Sequence, residues 1–226
     1  KPFMALAALE MGKRTPNQAI SDPGYYNFGN HQFRDDKKGG HGSVDMYKSI
    51  VHSCDTYYYM LANDMGIDNI SKFMGSLGLG QRTGIDLGKD EYGESKGVLP
   101  SQEWKKQRFK KPEQQKWYAG ETISIGVMFR PHLVQYIIET RSGEKRLIEP
   151  QPIRDLQLKP QNVEVIRRAM VGVNKEGTGA RAFAGAPYEA AGKTGTAQVF
   201  SLKGAQYKEG STKKELRDHA LFIAYA

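Results

Sequence analysis

Apolar residues recur at helical spacing near the start of the chain and in three later segments. Phe3, Leu6 and Leu9 share one face of a helix predicted over residues 2–12. Pro2 suits the first turn of that helix, and Gly12 suits its end. Similar patterns predict further helices over residues 43–65, 69–77 and 160–173.

The second half of the chain carries patterns that are typical of strands. Apolar runs predict strands over residues 133–140, 145–149, 190–200 and 219–226. Residues 13–42 and 81–117 are rich in turn formers, and we expect both segments to be largely irregular. Because helices come first and antiparallel-looking strands follow, the predicted fold class is α+β.

The charge balance of the 226 residues is basic. Lys and Arg number 33 against 25 Asp and Glu, which gives a formal net charge of +8. The densest basic stretch, residues 105–111, holds one aromatic residue and no RNA-binding signature, so it predicts a basic loop and no nucleic-acid partner. A single Cys excludes a disulfide framework within the chain. The longest apolar runs are far shorter than the ~18 residues of a membrane span.

Lys193-Thr194-Gly195-Thr196 lies in a predicted strand and has the chemistry of a carboxylate-binding edge. Gly195 lets a ligand backbone approach closely. The Lys193 ammonium and the hydroxyls of Thr194 and Thr196 can bind a carboxylate. The triplet Lys-Thr-Gly is common by chance, so this motif alone identifies no function.

Ser53-Cys54-Asp55 is expected to break the helix over residues 43–65, because Ser and Asp favour caps and turns. A Ser hydroxyl two residues from a carboxylate can also relay a proton and hydrogen-bond a lysine, although a helix cap is the simpler interpretation. Lys1, at the start of the first helix, is informative only together with the other two motifs. Ser-x-x-Lys, Ser-x-Asn and Lys-Thr-Gly form the motif set of penicillin-binding proteins and class A β-lactamases.

Taken together, the chain resembles the transpeptidase domain of class B penicillin-binding proteins, in the branch that serves elongation and rod shape of Gram-negative cells. The resemblance covers nearly the whole chain. Asp55, where many members have Asn, is typical of this branch. The stretches that carry the resemblance are Lys1-Pro2-Phe3, Phe33-Arg34-Asp35, Gly40-His41-Gly42, Ser53-Cys54-Asp55-Thr56-Tyr57-Tyr58-Tyr59, Asp64-Met65-Gly66-Ile67-Asp68, Gly84-Ile85-Asp86-Leu87, Leu99-Pro100, Gly120-Glu121-Thr122 and Gly192-Lys193-Thr194-Gly195-Thr196-Ala197-Gln198.

The resemblance implies a mostly antiparallel sheet flanked by helices, a helical lobe, and an active site in the groove between them. It implies acyl transfer by a serine three residues before Lys1, with Lys1 as the partner and base of that serine. Ser53 would shuttle a proton, and Asp55 would orient the network. No cofactor is needed for this chemistry.

The resemblance also implies roles for the residues of the Lys193-Thr194-Gly195-Thr196 motif. Lys193 would supply positive potential, while Thr194 and Thr196 would hold the substrate carboxylate. The strand at Thr196 would donate one N–H of the oxyanion hole, and the nucleophilic serine would donate the other. The implied substrates are D-Ala–D-Ala stem peptides of peptidoglycan, and β-lactams would acylate the same serine.

The chain departs from the family pattern in three places. The nucleophilic serine is absent, because it would precede Lys1. The family has a Gly-Gln-Gly segment and a helix where Gly126 runs directly into Val127, so we expect a segment to be missing there. The last strand stops early, at Ala226. We therefore expect residues 1–226 to be one incomplete transpeptidase domain, inactive alone, from a catalytic parent protein.

Asp22, Asp35, His41 and Cys54 are candidate metal ligands. Four Cys, His or carboxylate ligands can close a tetrahedral zinc site, and such a site would keep a long glycine-rich loop ordered. Spacing leaves open a buried free Cys and a surface His as alternatives. Some members of the resembled family hold zinc with two Asp, a His and a Cys. The spacings of Asp35, His41 and Cys54 fit that pattern, and the position of Asp22 is less distinctive.

The resemblance also implies a location and protein partners. The parent protein would lie at the periplasmic face of the bacterial inner membrane, held by an N-terminal transmembrane helix that is absent from this chain. Its partners would be a membrane glycosyltransferase and other proteins of the elongation complex.

Four other functions remain open at this point. A D,D-carboxypeptidase and a serine β-lactamase share the three motifs and differ in using water to resolve the acyl-enzyme. A β-lactam sensor would use acylation as a signal. An interaction module would keep the fold without the chemistry, and the residue three positions before Lys1 would separate it from the rest.

Overall fold

A computed structural model describes residues 1–82, 97–125, 136–138, 145–147, 155–197 and 219–226. In chain order the helices are α1 (Pro2–Glu10), α2 (Met46–Val51), α3 (Asp55–Met65), α4 (Ile67–Ser76), α5 (Gln102–Arg108), α6 (Pro112–Gln115), α7 (Ala119–Ile125), α8 (Pro160–Lys175) and α9 (Ala180–Phe183). The strands are β1 (Ile20–Asp22), β2 (Tyr25–Phe28), β3 (His31–Arg34), β4 (Gly42–Val44), β5 (Tyr136–Ile138), β6 (Lys145–Leu147), β7 (Ala191–Ala197) and β8 (His219–Tyr225). Within the described residues the strands pair antiparallel as β1–β4, β2–β3, β5–β6 and β7–β8.

Helices α1, α3 and α4 form the core of a helical lobe. Residues 4–9 of α1 are all buried. Tyr57 and Tyr58 of α3 are among the largest fully buried side chains, and Ile70 of α4 belongs to the same apolar cluster. Burying each large apolar side chain contributes roughly 1.5–3 kcal/mol. This cluster therefore fixes where α1 and α3 begin, and both starting points carry predicted site residues.

The predicted break in the helix over residues 43–65 is confirmed. Helix α2 ends at Val51 and α3 begins at Asp55. Cys54 caps α3, because its Sγ accepts a hydrogen bond from the backbone N–H of Tyr57. Between the helices, Ser53 has a φ of +59°, in the left-handed region that residues other than glycine rarely adopt.

The prediction that residues 13–42 are largely irregular is wrong, because two antiparallel pairs lie there. In the β2–β3 hairpin, Phe28 pairs with His31 across Gly29-Asn30. Strands β1 and β4 pair outside this hairpin and place Asp22 opposite Gly42. The same turn formers that suggested a loop are those that a two-residue hairpin connection requires.

The segment over residues 81–117 also contains more regular structure than predicted. Helix α5 begins after Ser101, whose hydroxyl accepts a hydrogen bond from the N–H of Trp104. Helix α6 begins at Pro112, a favourable first residue. The segment that we expected to be missing between Gly126 and Val127 lies outside the described residues.

Strands β7 and β8 confirm the strands predicted near residues 190–200 and 219–226. Helix α8 packs against β7. Gly192 makes this approach possible, because a Cβ there would lie 2.9 Å from the amide of Asn174 and 2.5 Å from the ring of Phe222. Across the described parts of the chain, no helix combines the length and apolar character needed to cross a bilayer.

Candidate active site

Three separated parts of the chain meet at the hydroxyl of Ser53. Lys1, directly before α1, donates through Nζ to Ser53 Oγ at 2.9 Å and also to the Ser53 carbonyl. Lys193, on β7, donates to the same Oγ at 2.9 Å. Asp55, the first residue of α3, lies 2.5 Å from the Lys1 ammonium. The structure thus brings together the four residues predicted to be catalytic.

We call these four residues, which the sequence predicts to be catalytic, the catalytic cluster; burial and charge set its electrostatics. Lys193 is only 7% exposed. Its burial and its repulsion by Lys1 lower the pKa of Lys193 to about 7, while the carboxylate of Asp55 opposes the shift. A hydroxyl can accept two hydrogen bonds and donate one. Since both lysines donate to Ser53, its own proton is available to a third group.

The backbone between α2 and α3 is strained where it serves the site. The left-handed conformation of Ser53 costs on the order of 1–3 kcal/mol. Hydrogen bonds from the Ser53 N–H to Ile50 and from the Cys54 N–H to Ser49 hold the turn. The turn gives neighbouring side chains different partners: Ser53 contacts the two lysines, and Cys54 contacts Asp22.

The predicted substrate-binding residues continue β7 beyond Lys193. Thr194 is half-buried, and Gly195 and Thr196 are exposed. Lys193 donates to the Thr194 carbonyl at 3.0 Å. Among the described strands, β7 pairs only with β8, so its second edge has no strand partner there. Such an edge can take up an extended peptide through main-chain hydrogen bonds.

Sequence reasoning missed two residues beside the catalytic cluster. Thr178, between α8 and α9, has its hydroxyl 2.7 Å from that of Thr194, and its N–H donates to the Val51 carbonyl. Asp36 follows β3, and burial together with the neighbouring Asp35 raises the pKa of Asp36 to about 6. Neither residue belongs to a recognisable motif, and only the fold brings them to the site.

A second cluster surrounds Cys54. One ligand atom each from Asp22, Asp35, His41 and Cys54 lies within 4.8 Å of the others. His41 Nδ1 is 2.8 Å from Asp22 Oδ2 and 3.5 Å from Asp35 Oδ1, and Cys54 Sγ is 3.4 Å from Asp22 Oδ2. All four residues predicted as metal ligands therefore lie together. They include Asp22, whose position in the sequence was the least distinctive of the four.

The donor set of this second cluster has the chemistry that zinc prefers. Both carboxylates and the thiol are buried, and within the described residues neither carboxylate pairs with Lys or Arg. Burial and the two carboxylates raise the pKa of the Cys54 thiol. Hydrogen bonds to Asp22 outweigh its burial and lower its pKa to about 2. A divalent cation would neutralise this buried negative charge, so the residues fit the metal.

Comparison with known proteins finds relatives of one family that match the whole chain. Residues 1–226 match the family model of the penicillin binding protein transpeptidase domain. The chain is 39% identical over 260 residues to the peptidoglycan D,D-transpeptidase MrdA of Haemophilus influenzae, covering all of this chain and 38% of that protein. The same enzyme of Escherichia coli K12 is 36% identical over 259 residues, with 39% of its length covered. The chain thus spans about two fifths of these curated relatives.

Solved structures show the same architecture. PBP2 of Pseudomonas aeruginosa, solved in complex with WCK 5153, superposes with a TM-score of 0.73 at 32% identity, covering 100% of this chain and 51% of that one. PBP2 of Helicobacter pylori, solved in complex with MreC, gives a TM-score of 0.76 at 28% identity, covering 99% and 41%. The predicted α+β fold class is therefore confirmed.

Proposed function

Because this chain belongs to the penicillin-binding protein transpeptidase family, we propose that its parent protein is a peptidoglycan D,D-transpeptidase that cross-links stem peptides during cell elongation. The convergence of Lys1, Asp55 and Lys193 on Ser53 carries this proposal. The nucleophile is a serine three residues before Lys1. At that spacing it lies one helical turn from Lys1, on the same helix face.

In the first half-reaction the serine Oγ attacks the carbonyl carbon of the D-Ala–D-Ala peptide bond. Lys1 acts as the base in its neutral amine form: its Nζ accepts the serine proton, and Asp55 holds the resulting ammonium in place. The C–N bond then breaks. Ser53 donates its proton to the departing amine and takes up the proton held by Lys1. D-Ala leaves, and the peptide remains bound as an ester.

In the second half-reaction an amine from a neighbouring strand attacks the ester. The new C–N bond forms as the ester C–O bond breaks, and the proton that the amine loses is returned to the serine Oγ. Lys193, Thr194 and Thr196 hold the substrate carboxylate, while Gly195 allows the peptide to approach β7. The Thr196 N–H and the N–H of the serine stabilise the oxyanion. β-Lactams acylate the same serine and leave a slowly hydrolysed ester.

The domain itself is proposed to lack a segment between Gly126 and Val127. The alignment with the Haemophilus influenzae relative extends over 260 residues, whereas this chain has 226. The relative therefore has additional residues within the matched span, which supports a missing segment without fixing its place.

Zinc is proposed to be held by Asp22, Asp35, His41 and Cys54 as a structural ion. When bound, the ion supplies a cross-link between the β1–β4 region and the start of α3, and it takes no part in acyl transfer. Asp35 links the two clusters, because its Oδ2 accepts hydrogen bonds from the N–H groups of Asp55 and Thr56.

The parent protein is further proposed to act at the periplasmic face of the inner membrane, anchored by an N-terminal helix. We propose a membrane glycosyltransferase and elongation-complex proteins as its partners. The Helicobacter pylori relative, solved in complex with MreC, supports an assembly of this kind.

The decisive experiment is intact mass spectrometry of the parent protein before and after incubation with a penicillin, followed by peptide mapping. We expect a single adduct on a serine three residues before Lys1. A folded protein that contains this serine and forms no adduct would contradict the proposal. Incubation with a stem peptide and an amine acceptor then separates the alternatives, since a cross-linked product indicates a transpeptidase and hydrolysis alone indicates a carboxypeptidase.

A further inference from the structure

An open groove of about 570 Å³ lies between the turn of the β2–β3 hairpin and the start of α7. Its volume falls within the range of about 300–1,000 Å³ that is usual for small-molecule sites. Aromatic rings form much of its wall, and polar side chains come from α7. The residues that line it include Phe28, His31, Phe33, Tyr118, Glu121 and Ser124.

The groove adjoins the catalytic cluster through α3. The ring of Phe33 lies 5.4 Å from the ring of Tyr59, centroid to centroid. Tyr59 is one helical turn beyond Asp55, a distance of about 6 Å along the axis. Its hydroxyl donates to the carbonyl of Arg34, at the end of the hairpin. The wall of the groove is therefore in contact with α3, whose first residue, Asp55, belongs to the catalytic cluster.

The chemistry of the groove suits a sugar ring. Flat aromatic side chains pack against the apolar C–H face of a pyranose, and polar groups at the edge bind its hydroxyl and amide substituents. Glu121 offers fixed acceptors, because Lys105 Nζ holds its two oxygens at 2.5 and 2.6 Å and the Tyr118 N–H donates at 2.8 Å. Lys105 is buried and offsets the charge of Glu121.

A peptide fits this groove less well than a sugar. Peptides that bind by strand addition need a row of unpaired backbone groups along a strand edge. This groove is lined by the ends of β2 and β3, by the turn between them and by the first residues of α7, so only short strand ends border it.

A basic side chain at the rim suits the carboxylates that a glycan strand carries on its stem peptides. Lys116 Nζ lies 5.4 Å from the centre of the Tyr118 ring and so borders the groove. The stem peptides of peptidoglycan carry carboxylates, which basic residues attract. The exposed basic residues of this segment are Lys106, Arg108, Lys110, Lys111 and Lys116.

We propose that the groove binds the glycan backbone of the peptidoglycan strand whose stem peptide reacts at the catalytic cluster, with Tyr118 as the stacking residue. The identity of the sugar, an N-acetylated hexosamine, rests on the proposed function. The fit of a pyranose to the groove rests on the aromatic and polar residues alone.

The test is calorimetric titration of the full protein with chitotetraose, a neutral N-acetylglucosamine oligomer. Tyr118→Ala should weaken binding roughly tenfold through loss of stacking, and Tyr118→Phe should restore it. Tyr188→Ala is the matched control, because Tyr188 is 60% exposed and Tyr118 is 52% exposed. Tyr188 does not line the groove, so this control should bind like the wild type.

Three results would overturn the proposal: no binding of chitotetraose to the wild type, equal effects of Tyr118→Ala and Tyr188→Ala, or an effect of Tyr118→Ala on a free stem peptide and not on the sugar. Acylation of the wild type by penicillin is measured in parallel. Sugar binding without acylation would contradict the transpeptidase and leave the groove supported. Acylation without sugar binding would contradict the groove alone.

Discussion

The catalytic cluster and the proposed zinc cluster share one turn of backbone and carry opposite charge. Ser53 accepts hydrogen bonds from two ammonium groups, with Asp55 as the nearby counter-ion. One residue later, Cys54 lies against two buried carboxylates that have only His41 as a possible cation within the described residues. Excess positive charge suits an anionic substrate, whereas excess buried negative charge favours the binding of a cation. Ser53 and Cys54 are adjacent in the chain, and the strained turn at Ser53 places their side chains in different clusters.

The largest effect should come from Lys1, which the mechanism uses as a base. Lys1→Met removes the proton acceptor and one donor to Ser53, so acylation by penicillin should slow on the order of 10³-fold. Stopped-flow or mass-spectrometric measurement of the acylation rate gives the value. Zinc content should not change, because Lys1 contacts none of the four ligand side chains in the bonds described. Equal losses of zinc and of acylation would show that the two clusters are not separate.

A substitution in the proposed zinc cluster should lower the stability of the protein, whereas a substitution of Lys1 should slow acylation. His41→Ala removes a ligand and the nearest possible cation, so within the described residues Asp22 and Asp35 are compensated by hydrogen bonds alone, most of them from the backbone. The free energy of unfolding should fall by roughly 3–5 kcal/mol. Elemental analysis should show loss of zinc, and urea titration should show the lower stability. His31→Ala, an exposed histidine on β3, is the control and should keep its metal. The same metal content in both variants would contradict the site.

The sequence predicts the residues of both clusters, but it misses parts of the fold around them. Lys193 and Ser53 could be named from short motifs only in combination with Lys1, because each motif alone also has a simpler structural interpretation. The hairpin over residues 25–34 could not be predicted, because its turn residues are equally typical of a loop. Thr178 was missed because its role depends on α8 packing against β7, a long-range contact with no local signature. Local chemistry is visible in a sequence, whereas contacts made by tertiary packing are not.

The pH dependence of substrate binding should depend on Lys193. Its pKa is lowered to about 7 by burial and by Lys1, so its positive charge is present below that pH and lost above it. Acylation by an anionic penicillin should therefore fall about tenfold as the pH rises through this value, because a charge-assisted hydrogen bond is lost. Lys193→Arg keeps a positive charge at this position above and below pH 7, so its acylation rate should not fall as the pH rises. Identical pH profiles for the two proteins would exclude Lys193 as the titrating group.

The smallest expected effect tests how the sheet and the helical lobe are joined at the catalytic cluster. Thr178 contacts both, through its hydroxyl to Thr194 and its N–H to Val51. Thr178→Val keeps the shape and the N–H and removes only the hydroxyl, so penicillin affinity should weaken about fivefold, as expected for one hydrogen bond. Thr178→Ser restores the hydroxyl and should restore affinity. Pre-steady-state kinetics separate the affinity from the acylation step, which should change little. If Thr178→Val lowers the melting temperature and leaves penicillin affinity unchanged, Thr178 only supports the packing of β7. The position of Thr194 would then be fixed by β7 without help from Thr178.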